Sequence, residues 1–145
     1  MAIFAKIGLD NIVERVVTVD NINCMTPGGI EREDIGVAFL TENFGHSTWK
    51  QGSMWTSGGV HTQGGTPFRA NCPHVGDTYD STHDIFYSPS PHNSWTLNTT
   101  TGLWEPPIVK PSETEEEYRA GKEYVWNEDA YQADNTTGWE LVSVL

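Results

Sequence analysis

Five histidines and two cysteines are the residues with which this chain could do metal or nucleophile chemistry. Cys72 and His74 stand one residue apart, and His61, His83 and His92 could complete a zinc site. Structural zinc sites pair their ligands at CxxC or HxxxH spacing, and neither pair occurs here. Surface or interface histidines are therefore expected, and no metal. Asp77, Asp80 and Asp84, close to Ser81 and Thr82, offer oxygen ligands for calcium but lack the DxDxDG spacing. His83 and Asp84 could form a dyad, yet no nucleophile motif accompanies them. Glu115, Glu116 and Glu117 read as a solvated helix face before they read as a general base. No Walker loop, Rossmann fingerprint, GxSxG or HExxH is present. The expectation is a protein that is not an enzyme and carries no cofactor.

The aromatic residues carry more pattern. From Tyr79 onward one phrase is written three times: an aromatic leads into Asp/Asn/Thr/Gly turn chemistry, and a second aromatic returns. YDSTHDIFY sets Tyr79 against Phe86. WTLNTTTGLW sets Trp95 against Trp104, and YVWNEDAY…NTTGWEL sets Trp126 against Trp139 across a longer polar loop. Asx-turns and a glycine at positive φ close such turns, and the two rings become cross-strand neighbours. These three pairs are expected to be structural clasps. Sugar stacking on the same rings is the functional alternative, weakened because two rings facing each other have little face left for a ligand.

Other elements must hold these hairpins. MAIFAKI and IVERVVTV alternate around a polar corner at Asp10-Asn11 and predict a β-hairpin. After PGG at 27–29 a helix is expected from Ile30 to Phe44, with Glu31, Glu33 and Asp34 in its first turn and Gly45 beyond its end. Ile30, Val37, Leu40 and Phe44 would form one apolar face, and Ile35, Ala38 and Phe39 another, covered by the fold or by a second copy. A strand is expected around Ser47–Gln51 and another near Ser53–Thr56. Seven of the fourteen glycines lie between Gly45 and Gly76, and residues 57–76 read as a long exposed loop, functional or ordered by a neighbour. Within this stretch Trp49, Trp55, His61 and Phe68 are the candidate binding residues. SETEEEYRAGK predicts a short acidic helix at 113–120, with Ser112 and Glu115 as its capping box and Gly121 as its stop. Together these give an α+β, hairpin-rich class in three parts: 1–50, the Gly-rich 51–76, and 77–145.

Composition bounds the partners. The chain has 145 residues and a formal charge of −12, with 20 acidic against 8 basic residues. A negative field of this size repels phosphate, which argues against nucleic acid and against an anionic membrane surface. No apolar run approaches a membrane span, and the first residues lack a signal-peptide core. Cys24 and Cys72 are expected to be reduced.

MAIFAKIGLDN, EDIGVAFLTENFG, PFRANCPHVGDTYDSTHDIF, SWTLNTTTGLWEPP and YVWNE, in this order, resemble a group of small accessory virion and hypothetical proteins of marine tailed phages that infect cyanobacteria and other oceanic bacteria. The resemblance implies a virion component assembled in the host cytoplasm, most simply a decoration protein gripping capsid subunits. A tail or fibre adaptor, a host-surface glycan binder and an intracellular inhibitor are the alternatives. It supplies no catalytic residues, and a homo-oligomer stays open.

Overall fold

The computed structural model describes residues 1–46 and 48–145. The strand expected to begin at Ser47 therefore has its first residue outside the described residues. Ala2–Ile7 (β1) and Val13–Val19 (β2) pair antiparallel, with Phe4 opposite Val17 and a register shift between Lys6 and Ile7. Asp10 and Asn11 make the corner with φ of 57° and 61°. Short polar side chains that bond locally tolerate this left-handed region best.

The helix, α1, runs Glu33–Phe44 and not from Ile30. Residues 30–32 are held extended beforehand: Thr26 N–H donates to the Ile30 carbonyl at 2.8 Å, and Arg32 N–H to the Cys24 carbonyl at 2.8 Å. The PGG turn is thus closed by β-type bonds that compete with a helical start. Gly45 ends the helix at φ 78°. Gly36 lies on the Phe4 ring so closely that a Cβ there would be 2.3 Å from Phe4 Cζ.

Trp49–Gly52 (β3) completes a sheet in the order β2-β1-β3, with Phe4 opposite Gln51. This central sheet is covered on both faces. On one, Ala2, Phe4, Val19 and Trp49 pack with Cys24 and Leu40, and Val37 and Phe39 lean on them. On the other, Ala5 and Val13 meet Tyr79 and Phe86. The two-sided cover expected for the helix belongs to β1; Ile30 and Ala38 are exposed and Gly36 and Leu40 form the one buried stripe of α1.

The Gly-rich stretch is not one long loop. Thr56–Ser57 (β4) and Val60–His61 (β5) form a two-residue hairpin whose turn residues, Gly58 and Gly59, have φ of 58° and 76°. Positive φ at both positions is the requirement of a type I′ turn. Thr78–Asp80 (β6) and Ile85–Tyr87 (β7) pair with Tyr79 opposite Phe86.

Two compact units result: Met1–Pro89 with Asn98–Leu103, and Ser90–Leu97 with Trp104–Leu145. The division falls after Pro89, not at residue 77, because the β6–β7 hairpin is part of the sheet's second core. Thr96–Asn98 (β8) and Leu103–Glu105 (β9) pair around a turn in which Asn98 Oδ1 accepts from Thr100 and Thr101 N–H.

In the second unit, Glu115–Arg119 (α2) precedes Lys122–Trp126 (β10). The capping box is Thr114 with Glu117, two residues after the expected pair. Glu113, inside the expected box, instead accepts from Tyr124 N–H at 2.9 Å. Glu128–Ala133 (α3), capped by Asn127, occupies what reads in the sequence as a polar loop, and Trp139–Ser143 (β11) returns along β10.

Candidate binding cleft

Trp55, His61 and Phe68, which are separated along the chain, line one cleft of the first unit, of about 410 Å³. Gln51, Met54 and Glu31 complete the part of the wall that matters chemically. Each side chain is placed by a local device. Ser53 Oγ accepts from Trp55 N–H at 3.2 Å, and the Trp55 carbonyl accepts from Thr62 N–H at 2.7 Å. The Trp55 ring is left half exposed, at 50%.

His61 sits at the end of the β4–β5 hairpin, where the turn Thr62-Gln63-Gly64-Gly65 that follows wraps its ring. Its Nδ1 accepts from Gln63 N–H at 3.1 Å and Gly65 N–H at 3.0 Å. With Nδ1 acting as acceptor, the neutral ring carries its proton on Nε2, and that N–H is the group it can offer a ligand. Gly65 lets the backbone approach closely, since a Cβ there would lie 3.0 Å from the imidazole.

Phe68 is anchored by its N–H to Thr56 Oγ1 at 3.1 Å. The next residue, Arg69, stacks its guanidinium on the Phe68 ring 4.6 Å from the centroid. Arg69 is the hub beneath the cleft: it binds Glu33, donates to Asp84 Oδ1 at 2.8 Å and to the Gln51 carbonyl at 2.8 Å. Arg69 and Ala70 hold φ of 52° and 64°, a conformation costing of order 1–3 kcal/mol per non-glycine residue that surrounding contacts must offset. Here those contacts are Phe86 N–H on the Arg69 carbonyl and Gly59 N–H on the Ala70 carbonyl. Asn71 continues the lattice, accepting from Gly58 N–H at 2.9 Å and donating to the Phe86 and Gly102 carbonyls.

Trp49 does not join this cleft. It is 2% exposed, its indole N–H donates to the His46 carbonyl, and its ring lies on His46 and Phe44. Alternation along β3 sends it into the core beneath α1, so it is a packing residue. Gln51, Met54 and Glu31 went unread in the sequence. Glu31 looked like a first-turn helix acid; it reaches the cleft because the helix starts later, and it accepts from Gln51 Nε2 at 2.8 Å.

The three aspartates considered for calcium are held apart from this cleft's wall. Asp77 accepts from His74 N–H at 2.8 Å, Asp80 from Thr82 and His83 N–H, and Asp84 from Arg69 and Tyr79. Each aspartate of the suggested calcium loop thus closes a different turn or pair. Cys72, His74 and Asp77 line a second cleft of the same unit. Burial, and then the Asp77 charge, push the Cys72 thiol up, which is opposite to what a nucleophilic thiolate needs. Among the described residues, no group of three or more His, Cys, Asp or Glu is placed to hold a metal ion.

The aromatic clasps differ among themselves. Tyr79 and Phe86 face each other with ring centroids 5.3 Å apart. Trp126 and Trp139 meet at 5.3 Å in a T-shaped pair, in register across β10 and β11. Trp95 lies outside β8 while Trp104 is central in β9, and the Trp95 ring packs on Trp126 and Trp139 at 6.0 and 6.1 Å. Three indoles thus pack together in the second unit, with Trp126 the buried one. Glu128 stitches its rim, accepting from Ser94 Oγ, Trp126 Nε1 and Gln132 Nε2.

No protein-family model, curated protein or solved structure matches the chain. Among the described residues no helix is long and apolar enough to cross a membrane.

Proposed function

We propose that this chain is a non-enzymatic accessory protein of a phage virion that decorates the capsid, gripping a capsid subunit through the Trp55–His61–Phe68 cleft. The observation that carries the binding part is the convergence of these three side chains, drawn from the Gly-rich stretch, onto one open cleft backed by the Arg69 and Asn71 lattice. Rigid backing favours recognition, since a preorganised surface loses less entropy on association. Aromatic side chains half exposed at such a cleft are the usual anchors of protein interfaces. The virion assignment rests on the resemblance of the sequence to accessory phage proteins.

The test is quantitative peptide mass spectrometry of gradient-purified particles from infected cells that carry the gene. A copy number near that of the capsid subunit is expected, and the Trp55→Ala chain should fold but fail to co-purify. A handful of copies per particle would replace decoration with a tail position, and absence from particles would overturn the proposal.

A further inference from the structure

The chemistry of the cleft wall specifies more than a generic apolar contact. Its lining combines the Trp55 and Phe68 rings, the Met54 thioether and one carboxylate, Glu31, with no lysine or arginine among the lining residues. Two cationic groups stand by the cleft and both are engaged: the amino group of Met1, which also lines it, donates to Asn21 Oδ1, and Arg69, against Phe68, is committed to Glu33 and Asp84. Glu31 is oriented rather than free to swing, because its Oε2 holds the Gln51 amide at 2.8 Å. Its other oxygen, Oε1, takes no part in that bond. The chain as a whole carries −12, so a cation that comes within about a Debye length of the surface is attracted.

Building on the docking role proposed above, we infer that the cleft accepts a basic side chain, an arginine or lysine projecting from an extended segment of the partner protein. The aliphatic stem lies along Trp55 and Met54, and the charged head reaches Glu31. Long basic side chains bury their stems on apolar surface while the head seeks a polar partner. Indole faces attract cations through their quadrupole, and thioethers adapt to an irregular stem. His61 Nε2–H is left to meet a backbone carbonyl of the same segment. A sugar fits this wall less well: it needs several side-chain donors and acceptors, and the Gln51 amide is already engaged.

The experiment is an NMR titration of the full-length ¹⁵N-labelled chain with blocked pentapeptides, Ala-Ala-Xaa-Ala-Ala, in which Xaa is arginine, lysine, citrulline or norleucine. The arginine and lysine peptides should shift the Trp55 indole N–H and the amides between Gln51 and Phe68 in a saturable way. Citrulline and norleucine should bind up to about fivefold more weakly, the size expected for one partly exposed ion pair. Glu31→Gln, at an exposed position, should erase the difference between arginine and citrulline while leaving the spectrum of the rest of the chain in place. Equal binding of citrulline and arginine within the cleft would overturn the basic-side-chain inference yet leave the docking role standing. Shifts outside the cleft, or none with any peptide up to several millimolar, would also overturn it. Particle association of the Trp55→Ala chain bears on the docking role alone.

Discussion

Arg69 and Asp84 are joined by a 2.8 Å hydrogen bond from the guanidinium Nε, although fifteen residues separate them in the chain. The same guanidinium, its side chain only 8% exposed, also binds Glu33 and the Gln51 carbonyl. One side chain thereby ties the start of α1, the edge strand β3 and the β6–β7 turn. Arg69→Met would leave Glu33, Asp84 and the Gln51 carbonyl short of a donor. A loss of roughly 3 kcal/mol is expected from breaking such a pair on one side, read as a lower urea midpoint with unchanged slope. Arg69→Lys should recover only part of this, because an ammonium cannot fork.

Alkaline pH should loosen the same unit. Burial, and then donation of its hydroxyl to Asp84, push the Tyr79 phenol up to about 12. The fold therefore favours the neutral phenol. That contribution is complete below the ordinary tyrosine range near 10 and is lost as pH rises towards 12. Urea midpoints measured across that window should fall alongside the appearance of phenolate absorbance. Tyr79→Phe should flatten the dependence.

Acid should act on the second unit. Hydrogen bonds from Ser94 foremost, then Gln132 and Trp126, pull the Glu128 carboxyl down to about 2. Its folded value lies below its unfolded one, so its contribution is present above the ordinary glutamate range near 4.3 and fades as pH falls towards 2. Tryptophan fluorescence should change across that interval as the Trp126 indole loses its acceptor. Glu128→Gln should remove the transition; an unchanged acid profile would count against the assignment.

Trp49 and Trp55 should separate stability from binding. Trp49→Ala opens a cavity beneath α1 and should cost about 3–5 kcal/mol. Trp55→Ala, at a half-exposed ring, should cost under about 1 kcal/mol. Paired denaturation curves check this, and a strongly destabilised Trp55→Ala chain would place that ring in the core.

The N-terminal hairpin was readable because β-branched residues alternate on either side of a polar corner, and both signals are local. The start of α1 was not, because the Thr26–Ile30 turn and the Arg32–Cys24 bond hold residues that helical periodicity would have claimed. SETEEE contains two overlapping capping boxes; the later one forms, while Glu115 of the earlier pair binds Arg119 and Glu113 accepts from Tyr124 N–H. Ser57-Gly58-Gly59-Val60 did carry a hairpin signal, masked by the glycines around it. The similar phrases at Trp95 and Trp139 fold to different ends: cross-strand rules place Trp139 on Trp126, whereas Trp95, just outside its strand, follows long-range packing. The cleft was half legible. Aromatic residues in a polar stretch flagged Trp55 and Phe68, but the recruitment of Glu31 depends on where α1 begins, and the burial of Trp49 on which face of β3 lies beneath that helix.

The outer edge of β3 illustrates a quieter effect of the same lattice. The Gln51 N–H is taken by Glu33 at 2.7 Å and its carbonyl by Arg69 at 2.8 Å. An unpaired strand edge is a template on which foreign chains can add. With side chains standing where a further strand would hydrogen-bond, a stray polypeptide finds no foothold at Gln51. At this point of the edge, strand addition is blocked by the chain's own side chains.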